Sequence, residues 1–593
     1  MRSLFRVLIG TFAFIGLIVV LAFGVGIYAA SKFEGRSAKA PDKFVLTLNL
    51  DKDYQESNER PRLASLKLGT QTSMQDALFA LRRAKDDPRV TAVVATLNDH
   101  HFGIAQIQEL RTAIADIRAA GKPTYLFSET IGEGTGALQG YYLAAAFETI
   151  WVQPTGNVGV AGIGTEQPFV RKALERLGVK ANVIKRKEYK SAMETFTEDH
   201  ISPANKEELT ALLGGWFDQM VDGIAADRKL DKAAVKDLID RGPLLAAEAK
   251  EGKLIDALGY RDQFEDALNQ KVGRMAHVPL RRYADLPVWA GRAEAKKSIA
   301  VVSAIGTISR GSAEENPFAG DEGIKSAVTA KAIRDAVANK DVEAIVLRVD
   351  SPGGSAVASD TIWREVVRAR ESKKPVIVSM GNVAASGGYF ISMAADRIFA
   401  DAGTITGSIG VISGKIVLAG TSEKLDVNWD RISFGESAGL FSSQTEWNAR
   451  ELARLNTVMD AVYADFTGKA AQGRGKPVEE FEKYARGRVW SGADAVKIGM
   501  IDELGGLNAA IDHAKTKIGL TAEDSVKLVP YPTPEDPLQA ILKAMSDGDA
   551  PSDIMTGVRA ISAFGKVAGP LLETLQGAQT KGPALYMEPV GVE

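Results

Sequence analysis

Two glycine-rich segments in the second half of the chain carry residue types that could perform acyl transfer. Residues 349–355 read VDSPGGS, and residues 380–389 read MGNVAASGGY. Each follows a predicted strand, and the second connects a strand over residues 375–379 to an apolar helix over residues 389–395. Glycines in such turns let backbone N–H groups approach a ligand where a helix begins. The pattern therefore predicts two loops that could hold a reacting carbonyl group.

Ser386 is the candidate nucleophile of these loops. A serine at a helix start lies beside N–H donors that have no partner within the helix. Ser386 could therefore attack a carbonyl carbon while the amides of Gly387 and Gly354 stabilise the oxyanion. The alternative is structural, because an isolated Ser-Gly-Gly is more often a helix cap followed by a turn.

The chain contains one architecture twice, with a period of about 250 residues, which indicates a duplicated domain. Within each copy, runs of Val and Ile alternate with amphipathic segments, a pattern that predicts βα units around a mostly parallel sheet and hence an α/β fold. Long helical stretches over residues 203–239 and 444–484 are expected to form an arm or lid. The matched segments, in the same order in both copies, are residues 43–48 and 297–302, 91–98 and 343–350, 140–146 and 388–394, 154–160 and 403–411, and 254–259 and 500–505.

The first copy helps to decide between the two roles of Ser386. The position that matches Ser386 in that copy is Leu138. A cap needed for folding should occur in both copies, whereas a nucleophile is needed in only one. The duplication therefore favours a chemical role for the serine.

Four motifs together resemble a known family. They read LRVDSPGGS at residues 347–355, ASGGY at residues 385–389, TGSIGV at residues 406–411 and YKSA at residues 189–192. In these motifs the chain resembles the long, two-domain form of signal peptide peptidase A, also called protease IV, and the resemblance spans about residues 1–530. One position departs from the family pattern, because Asp350 stands where Asn is expected.

The resemblance implies a fold, an activity and a set of roles. The fold would be two tandem crotonase-like domains of the type shared with the Clp protease. Ser386 would be the nucleophile of a serine endopeptidase and Lys190, in the other half, its general base. Ser408 would hold the lysine, and Gly354 with Gly387 would form the oxyanion hole. The resemblance further implies cleaved signal peptides as substrates and a ring-like homotetramer, and we expect no cofactor.

Lys190 can act as a base near pH 7 only if its pKa is lowered by about 3 units from the ordinary lysine value. Burial would provide that shift, and Tyr189, Ala192 and Met193 offer apolar neighbours. The alternative is that Lys190 is an ordinary solvated surface charge. Its segment aligns with residues 435–438, GESA, so the lysine is missing from the copy that has the serine. We therefore expect each half to supply one member of a Ser/Lys dyad.

A second serine offers a rival nucleophile. Residues 435–439 read GESAG, which fits the nucleophile elbow of α/β-hydrolases, follows a predicted strand and has His513 downstream. Two observations argue against an esterase that uses Ser437. The other copy has a serine, Ser191, at the equivalent position, and no helix of the expected type follows Ser437 directly. A catalytically inactive membrane scaffold and a crotonase-type acyl-CoA enzyme are further alternatives. The acyl-CoA alternative does not explain why a serine and a lysine each survive in one copy only.

Composition excludes several other classes of function. Charged residues make up 25% of the chain and the net charge is −3, so there is no basic surface to bind nucleic acid. The chain has no cysteine, which excludes thiol catalysis, disulfides and cysteine metal sites. Its five histidines form no HExxH motif, so we predict no metal.

Residues 7–31 carry no charge and as a helix would cross a hydrocarbon core of about 30 Å. This stretch is longer than the apolar region of a cleaved signal peptide, which spans about 7 to 15 residues. We therefore expect a membrane anchor. A short N-terminus before one span favours export of the body, so we expect a single-pass protein of the inner membrane with its catalytic body on the periplasmic side.

The chain is too long for one hydrophobic core, since domains usually divide beyond about 250 to 300 residues. The predicted organisation is an anchor and linker over residues 1–42, an N-terminal domain over residues 43–295 that supplies the lysine, a C-terminal domain over residues 296–530 that supplies the serine, and a tail over residues 531–593.

Overall fold

The computed structural model describes residues 41–57, 72–133, 136–286, 295, 297–311 and 323–533. The predicted anchor over residues 7–31 and the tail beyond residue 533 lie outside these ranges. No helix within them combines the length and the apolar character needed to cross a bilayer. Below, the N-terminal half means residues 41–286 and the C-terminal half means residues 295–533.

A six-stranded parallel sheet forms the centre of the N-terminal half. Its central strands are mostly apolar and buried, which is typical of parallel sheets covered by helices on both faces. The strands of this half are β1 (Phe44–Asn49), β2 (Val90–Thr96), β3 (Thr124–Ser128), β4 (Thr149–Val152), β5 (Asn157–Val158), β6 (Lys180–Arg186), β7 (Leu244–Leu245), β8 (Ala257–Leu258) and β9 (Ala276–Pro279). The order across the sheet is β8-β4-β3-β2-β1-β9, and β5 pairs separately with β7.

Helices cover that sheet and extend from it. The longest begins after the cap Ser202, whose side chain accepts a hydrogen bond from Asn205 N, and has a proline at its first position. The helices are α1 (Met74–Asp86), α2 (Ile104–Ala119), α3 (Ala137–Ala144), α4 (Arg171–Arg176), α5 (Glu194–Thr197), α6 (Pro203–Arg228), α7 (Lys232–Asp240), α8 (Ala246–Glu251), α9 (Arg261–Val272) and α10 (Leu280–Ala284).

The C-terminal half repeats this plan around an eight-stranded sheet. Its strands are β10 (Ser298–Ile305), β11 (Ile308–Ser309), β12 (Ile324–Lys325), β13 (Val342–Ser351), β14 (Val376–Ala385), β15 (Arg397–Ala400), β16 (Ile405–Gly407), β17 (Val411–Val417), β18 (Val489–Ser491), β19 (Glu503–Leu504) and β20 (Lys527–Tyr531). The path across the sheet is β18-β16-β14-β13-β10-β20, with β15 on β14 and β19 on β15. The helices are α11 (Ser326–Ala338), α12 (Ala356–Glu371), α13 (Gly387–Ser392), α14 (Ala419–Lys424), α15 (Ala449–Gly473), α16 (Val478–Phe481), α17 (Gly492–Lys497) and α18 (Leu507–Lys517).

The duplication extends to single hydrogen bonds. Tyr141 Oη on α3 donates to Leu254 O at 2.6 Å, and Tyr389 Oη on α13 donates to Met500 O at 3.0 Å. Helix α15 begins 246 residues after α6. The ion pair Arg474–Asp502 likewise lies 246 residues after its equivalent, Arg228–Asp256. The two halves are therefore equivalent in backbone plan as well as in sequence.

A two-stranded antiparallel ribbon connects the halves. Strand β6 of the N-terminal half pairs with β17 of the C-terminal half, from Lys180 opposite Val417 to Arg186 opposite Val411. This pairing places the residues just after β6 beside the residues just before β17. Those two short stretches contain the predicted lysine and its predicted holder.

A buried ion cluster also joins the halves. Arg348 on β13 is fully buried, and its guanidinium contacts Glu56 Oε1 and Glu109 Oε2, each at 2.6 Å. Both glutamates belong to the N-terminal half. Apolar residues of the C-terminal half, among them Phe399 and Leu507, lie in the same hydrophobic core as the N-terminal sheet. The halves therefore share part of their interior.

Several element boundaries predicted from the sequence differ from those in the structure. The strand predicted over residues 375–379 continues as β14 to Ala385, because its last three residues pair with β16. The predicted turn over residues 380–389 is therefore mostly strand, and the helix begins at Gly387 instead of residue 389. The long helical stretches expected over residues 203–239 and 444–484 are each divided into two helices.

Candidate active site

Ser386 occupies the sharp turn between β14 and α13. Its backbone has φ 52° and ψ −115°, a conformation that residues with side chains seldom adopt. Its N–H donates to Gly407 O on β16 at 2.8 Å, which fixes the turn against the neighbouring strand. The serine is therefore held in a strained position at the end of a central strand.

Lys190 comes from the N-terminal half and reaches this serine. Its Nζ lies 3.1 Å from Ser386 Oγ. The turn between β6 and Lys190 is fixed by Arg486 O, which accepts hydrogen bonds from the N–H groups of Lys187 and Tyr189. The two side chains expected to form a dyad are thus in hydrogen-bonding contact.

Ser408 holds the amine on its other side. Lys190 Nζ lies 2.8 Å from Ser408 Oγ and 3.0 Å from Ser408 O. Ser408 also has a positive φ, 50°, and its N–H donates to Arg488 O at 2.7 Å. The amine therefore has three oxygen neighbours from the C-terminal half, and one of them is the candidate nucleophile.

Burial favours the neutral form of the Lys190 amine. Its side chain is 6% exposed, and burial lowers its pKa from 10.5 to about 8 because the charged amine loses hydration. The neutral form, which can accept a proton, is a minor species at pH 7 and predominates above pH 8.

Glu208 on α6 is a buried carboxyl group that motif analysis missed. Its Oε1 accepts from Ser191 Oγ at 3.3 Å, and its Oε2 accepts from Val489 N at 2.9 Å. Burial raises the pKa of Glu208 to about 7, while its negative charge raises the pKa of Lys190 and so opposes the effect of burial on the amine. In the sequence it is one of two adjacent glutamates near a helix start, a pattern typical of a solvated face.

The amides of Gly354 and Gly387 lie beside Ser386, as predicted for an oxyanion hole. A Cβ at Gly387 would lie 2.6 Å from Ser359 Oγ and 3.2 Å from Gly354 N, and a Cβ at Gly354 would lie only 2.1 Å from Ile308 O, so a larger residue at either position requires a neighbour to move. Neither N–H donates a hydrogen bond to any residue that the structure describes. Ile308 and Gly354 form a parallel β-bridge, which fixes the first glycine loop.

Asp350 lies beneath this loop. Its Oδ1 accepts from Val383 N at 3.0 Å, and burial raises the pKa of Asp350 to about 6. The equivalent residue of the N-terminal half is Asn98. A carboxyl group that is mostly protonated below about pH 6 therefore occupies the position where Asn was expected.

The structure contradicts the rival site at Ser437. The residues that precede it are irregular and exposed instead of forming the predicted strand, and Ser437 itself lies in an exposed turn. No helix of the elbow type follows directly. Leu138, the counterpart of Ser386, is fully buried inside α3, so the N-terminal half has no nucleophile at the equivalent point.

No cluster of three or more potential metal-ligating side chains occurs among the residues that the structure describes. The candidate site is built from a serine, a lysine, a second serine and backbone amides. This arrangement can perform acyl transfer through a serine ester.

Comparison with known proteins identifies relatives. The family model for peptidase family S49 matches residues 117–274 and residues 368–521, one segment in each half. The chloroplastic serine protease SPPA of Arabidopsis thaliana is 32% identical over 472 residues, which cover 78% of this chain and 68% of the relative. Protease 4 of Salmonella typhi is 33% identical over 459 residues, covering 75% of this chain and 72% of the relative.

Among solved structures, a ClpP1 variant from Listeria monocytogenes aligns with 36% of this chain and 94% of its own, at 16% identity. The TM-score is 0.22. The Clp-like fold expected from the sequence stays a prediction.

Proposed function

The chain belongs to peptidase family S49 and is a serine protease, as its motifs predicted, and from this premise we propose that Ser386 and Lys190 are its catalytic dyad. One observation supports this assignment above all others. A lysine with a lowered pKa from one half lies 3.1 Å from a strained serine of the other half. Each residue is absent from the equivalent position of the other copy.

Acylation begins with neutral Lys190. Its Nζ takes the proton of Ser386 Oγ as that oxygen attacks the carbonyl carbon of the scissile peptide bond. The negative charge that develops on the carbonyl oxygen is stabilised by the amides of Gly354 and Gly387. The lysine then gives the proton to the leaving nitrogen, the C–N bond breaks, and a serine ester remains.

Deacylation repeats the proton transfers with water. Lys190 removes a proton from a water molecule, the resulting hydroxide attacks the ester carbon, and the proton returns to Ser386 Oγ as the carboxylic acid product leaves. Ser408 orients the amine in both steps through its hydroxyl and its carbonyl. Ser408, Gly354 and Gly387 are thus assigned supporting roles.

The substrate, the location and the assembly belong to the same proposal. We propose that the protein cleaves apolar peptides such as signal peptides already released from their precursors. The uncharged residues 7–31 would anchor it in the inner membrane, with the catalytic body on the periplasmic side. Two tandem crotonase-like domains and a homotetramer complete the proposal, with no cofactor and no nucleic acid.

A serine-directed fluorophosphonate probe tests the dyad. The full chain in detergent should be labelled at Ser386, and labelling should be lost in both Ser386→Ala and Lys190→Ala. Ser437→Ala is the matched control and should be labelled like the wild type. Labelling that persists in Ser386→Ala would refute the assignment, and absence of labelling in the wild type would favour an inactive scaffold.

A further inference from the structure

Helix α2 of the N-terminal half begins without a cap of its own. Its cap position is Gly103, which has no side chain that could accept a hydrogen bond from the first turn. The C-terminal half supplies the acceptor, because Gln106 N donates to Asn382 Oδ1 at 3.2 Å. A Cβ at position 103 would overlap the side-chain amide of Asn382. The glycine therefore makes room for a side chain of the other half.

The equivalent helix of the C-terminal half, α12, has an internal cap. Residues 355–358 correspond to residues 103–106, and Ser355 Oγ accepts a hydrogen bond from Ala358 N at 3.3 Å. A serine at position 103 could accept from Gln106 N in the same way. Formation of α2 therefore does not require Asn382, and a contact between the halves has taken the place of a local cap.

Asn382 lies in a β-bulge that leads to the proposed nucleophile. In the pairing of β13 with β14, residues 381–383 stand opposite the single residue Asp350. A bulge of this kind changes the direction of a strand and of the side chains that follow it. Ser386 comes four residues after Asn382, immediately beyond the end of the same strand. The position of the bulge therefore sets the position of Ser386.

Three side chains fix the bulge. Asp350 Oδ1 accepts from Val383 N at 3.0 Å, and Thr404 Oγ1 donates to Gly381 O at 2.8 Å. Both of these contacts lie within the C-terminal half. Asn382 makes the third contact through its own side chain, and that contact reaches the N-terminal half. The bulge is therefore held between the two halves.

The N–H group from which Asn382 accepts belongs to a residue that is itself fixed. Gln106 is buried, its Oε1 accepts from Gly103 N at 3.1 Å, and its Nε2 donates to Glu56 Oε2 at 2.9 Å. Glu56 in turn binds the guanidinium of Arg348. The start of α2 is thus anchored in the buried ion cluster that joins the halves, and it gives Asn382 a rigid point of attachment.

The loops around Ser386 leave little room for movement of this strand. A Cβ at Gly353 would lie 2.8 Å from Ser386 Cβ and 2.6 Å from Gly387 N. A shift of the bulge would therefore move Ser386 against the first glycine loop and change its distance from the amide of Gly354. Misplacement of a reacting group by about 1 Å can lower a catalytic rate by about a hundredfold. A contact that fixes the bulge can therefore affect the rate of the chemical step.

We infer that Asn382 is a positioning residue, which couples α2 of the N-terminal half to the location of Ser386 relative to Lys190 and the oxyanion amides. The inference deepens the proposed function and rests on the proposed dyad. The half that supplies the base also places the nucleophile, so closure of the two halves aligns both members of the dyad.

Replacing Asn382 by Ala in the full chain in detergent tests this role. The kcat for an apolar fluorogenic peptide should fall about tenfold with little change in KM, because the chemical step depends on the placement of Ser386 more than substrate binding does. The midpoint of urea unfolding should also fall, because α2 loses its cap. Ser73→Ala is the matched control, since Ser73 caps α1 through Asp76 N within the N-terminal half. It should lower the midpoint and leave kcat unchanged.

A double variant separates positioning from capping. Gly103→Ser/Asn382→Ala gives α2 an internal cap like that of α12, so the midpoint of unfolding should return toward the wild-type value. The kcat should stay low, because the new serine restores no contact with the bulge. An unchanged kcat in Asn382→Ala, an equal loss of kcat in Ser73→Ala, or recovery of kcat in the double variant would overturn the inference.

Fluorophosphonate labelling of the same proteins keeps this inference apart from the dyad itself. Ser386 should be labelled in the wild type and labelled more slowly in Asn382→Ala. A wild type that is not labelled at Ser386 would refute the dyad. Labelling of the wild type together with an equal labelling rate in Asn382→Ala would overturn the positioning role and leave the dyad intact.

Discussion

Replacing Glu208 by Gln should move the acid limb of peptide hydrolysis to lower pH. Lys190 must be neutral to take the serine proton, and its pKa of about 8 means that kcat/KM falls below that pH. The Glu208 carboxylate favours the charged lysine and so raises this pKa. Gln has the same shape and can still accept the hydrogen bond from Val489 N, but it carries no charge.

The size of the shift follows from the charge that is removed. At an effective dielectric constant of about 20, two unit charges interact by about 4 kcal/mol at a separation of about 4 Å and by less at longer range, and one pKa unit corresponds to about 1.4 kcal/mol, which lies within that range. With a pKa of about 7, Glu208 is mostly ionised where Lys190 titrates. Loss of an anion disfavours the lysine cation, so the pKa of Lys190 falls by about one unit and kcat/KM at pH 7 rises severalfold. Above pH 9, where Lys190 is neutral in both proteins, no gain is expected.

Two other charged groups act on Glu208. Arg488 lowers the pKa of Glu208 and Glu194 raises it, and both stay in place in the variant. Glu207, the neighbour of Glu208, is exposed and pairs with Arg488 at 2.6 Å. Its charge is screened by solvent, so Glu207→Gln is a matched control that should leave the acid limb where it is.

The assay is the pH profile of kcat/KM for an apolar fluorogenic peptide, measured from about pH 6 to about pH 10. A purely structural role for Glu208 would lower kcat at every pH without moving the limb. An unmoved limb, a limb moved to higher pH, or an equal movement in the control would refute the electrostatic argument.

Three further predictions concern the residues around the dyad and between the halves. Ser408→Ala should lower kcat by about tenfold to a hundredfold with little change in KM, because Lys190 loses the hydroxyl that orients it; steady-state kinetics check this. The folded-state pKa of Asp350 is raised to about 6, so the carboxyl group costs stability as pH rises from about 4 through 6. Asp350→Asn should therefore raise the free energy of unfolding by about 2 kcal/mol at pH 7.5 and by much less at pH 4.5, as measured by urea denaturation; a gain of equal size at both pH values would contradict it. Arg348→Ala should cost about 3 to 5 kcal/mol, because it leaves two buried glutamates unpaired, whereas Arg364→Ala at an exposed ion pair should cost less than about 1 kcal/mol.

Much of the candidate site could be predicted from the sequence because the chain contains two copies of one architecture that can be compared with each other. Ser386 and Lys190 stand out since each is present in one copy and missing from the other. The contact between them requires the two halves to meet, which no local pattern shows. The motifs supplied that expectation, and the ribbon of β6 and β17 explains it physically.

Other features depend on partners that are distant in the sequence. Gly381 before Ser386 favours a turn, but pairing with β16 keeps that segment extended to Ala385. Residues before Ser437 have the composition of a strand, yet no described strand pairs with them. In the sequence, Glu208 and Arg348 look like ordinary surface charges. In the structure both are buried, because residues of the two halves pack around them.

The division of the proposed dyad between the halves has a consequence for biosynthesis. Lys190 precedes Ser386 by 196 residues, and the groups that fix the lysine, Ser408 and Arg486, follow later still. A growing chain therefore contains the base long before it contains the nucleophile, and it contains both before it can align them. A ribosome-bound chain would be inactive until almost all of its catalytic body had been synthesised, which delays peptide cleavage until the enzyme is complete.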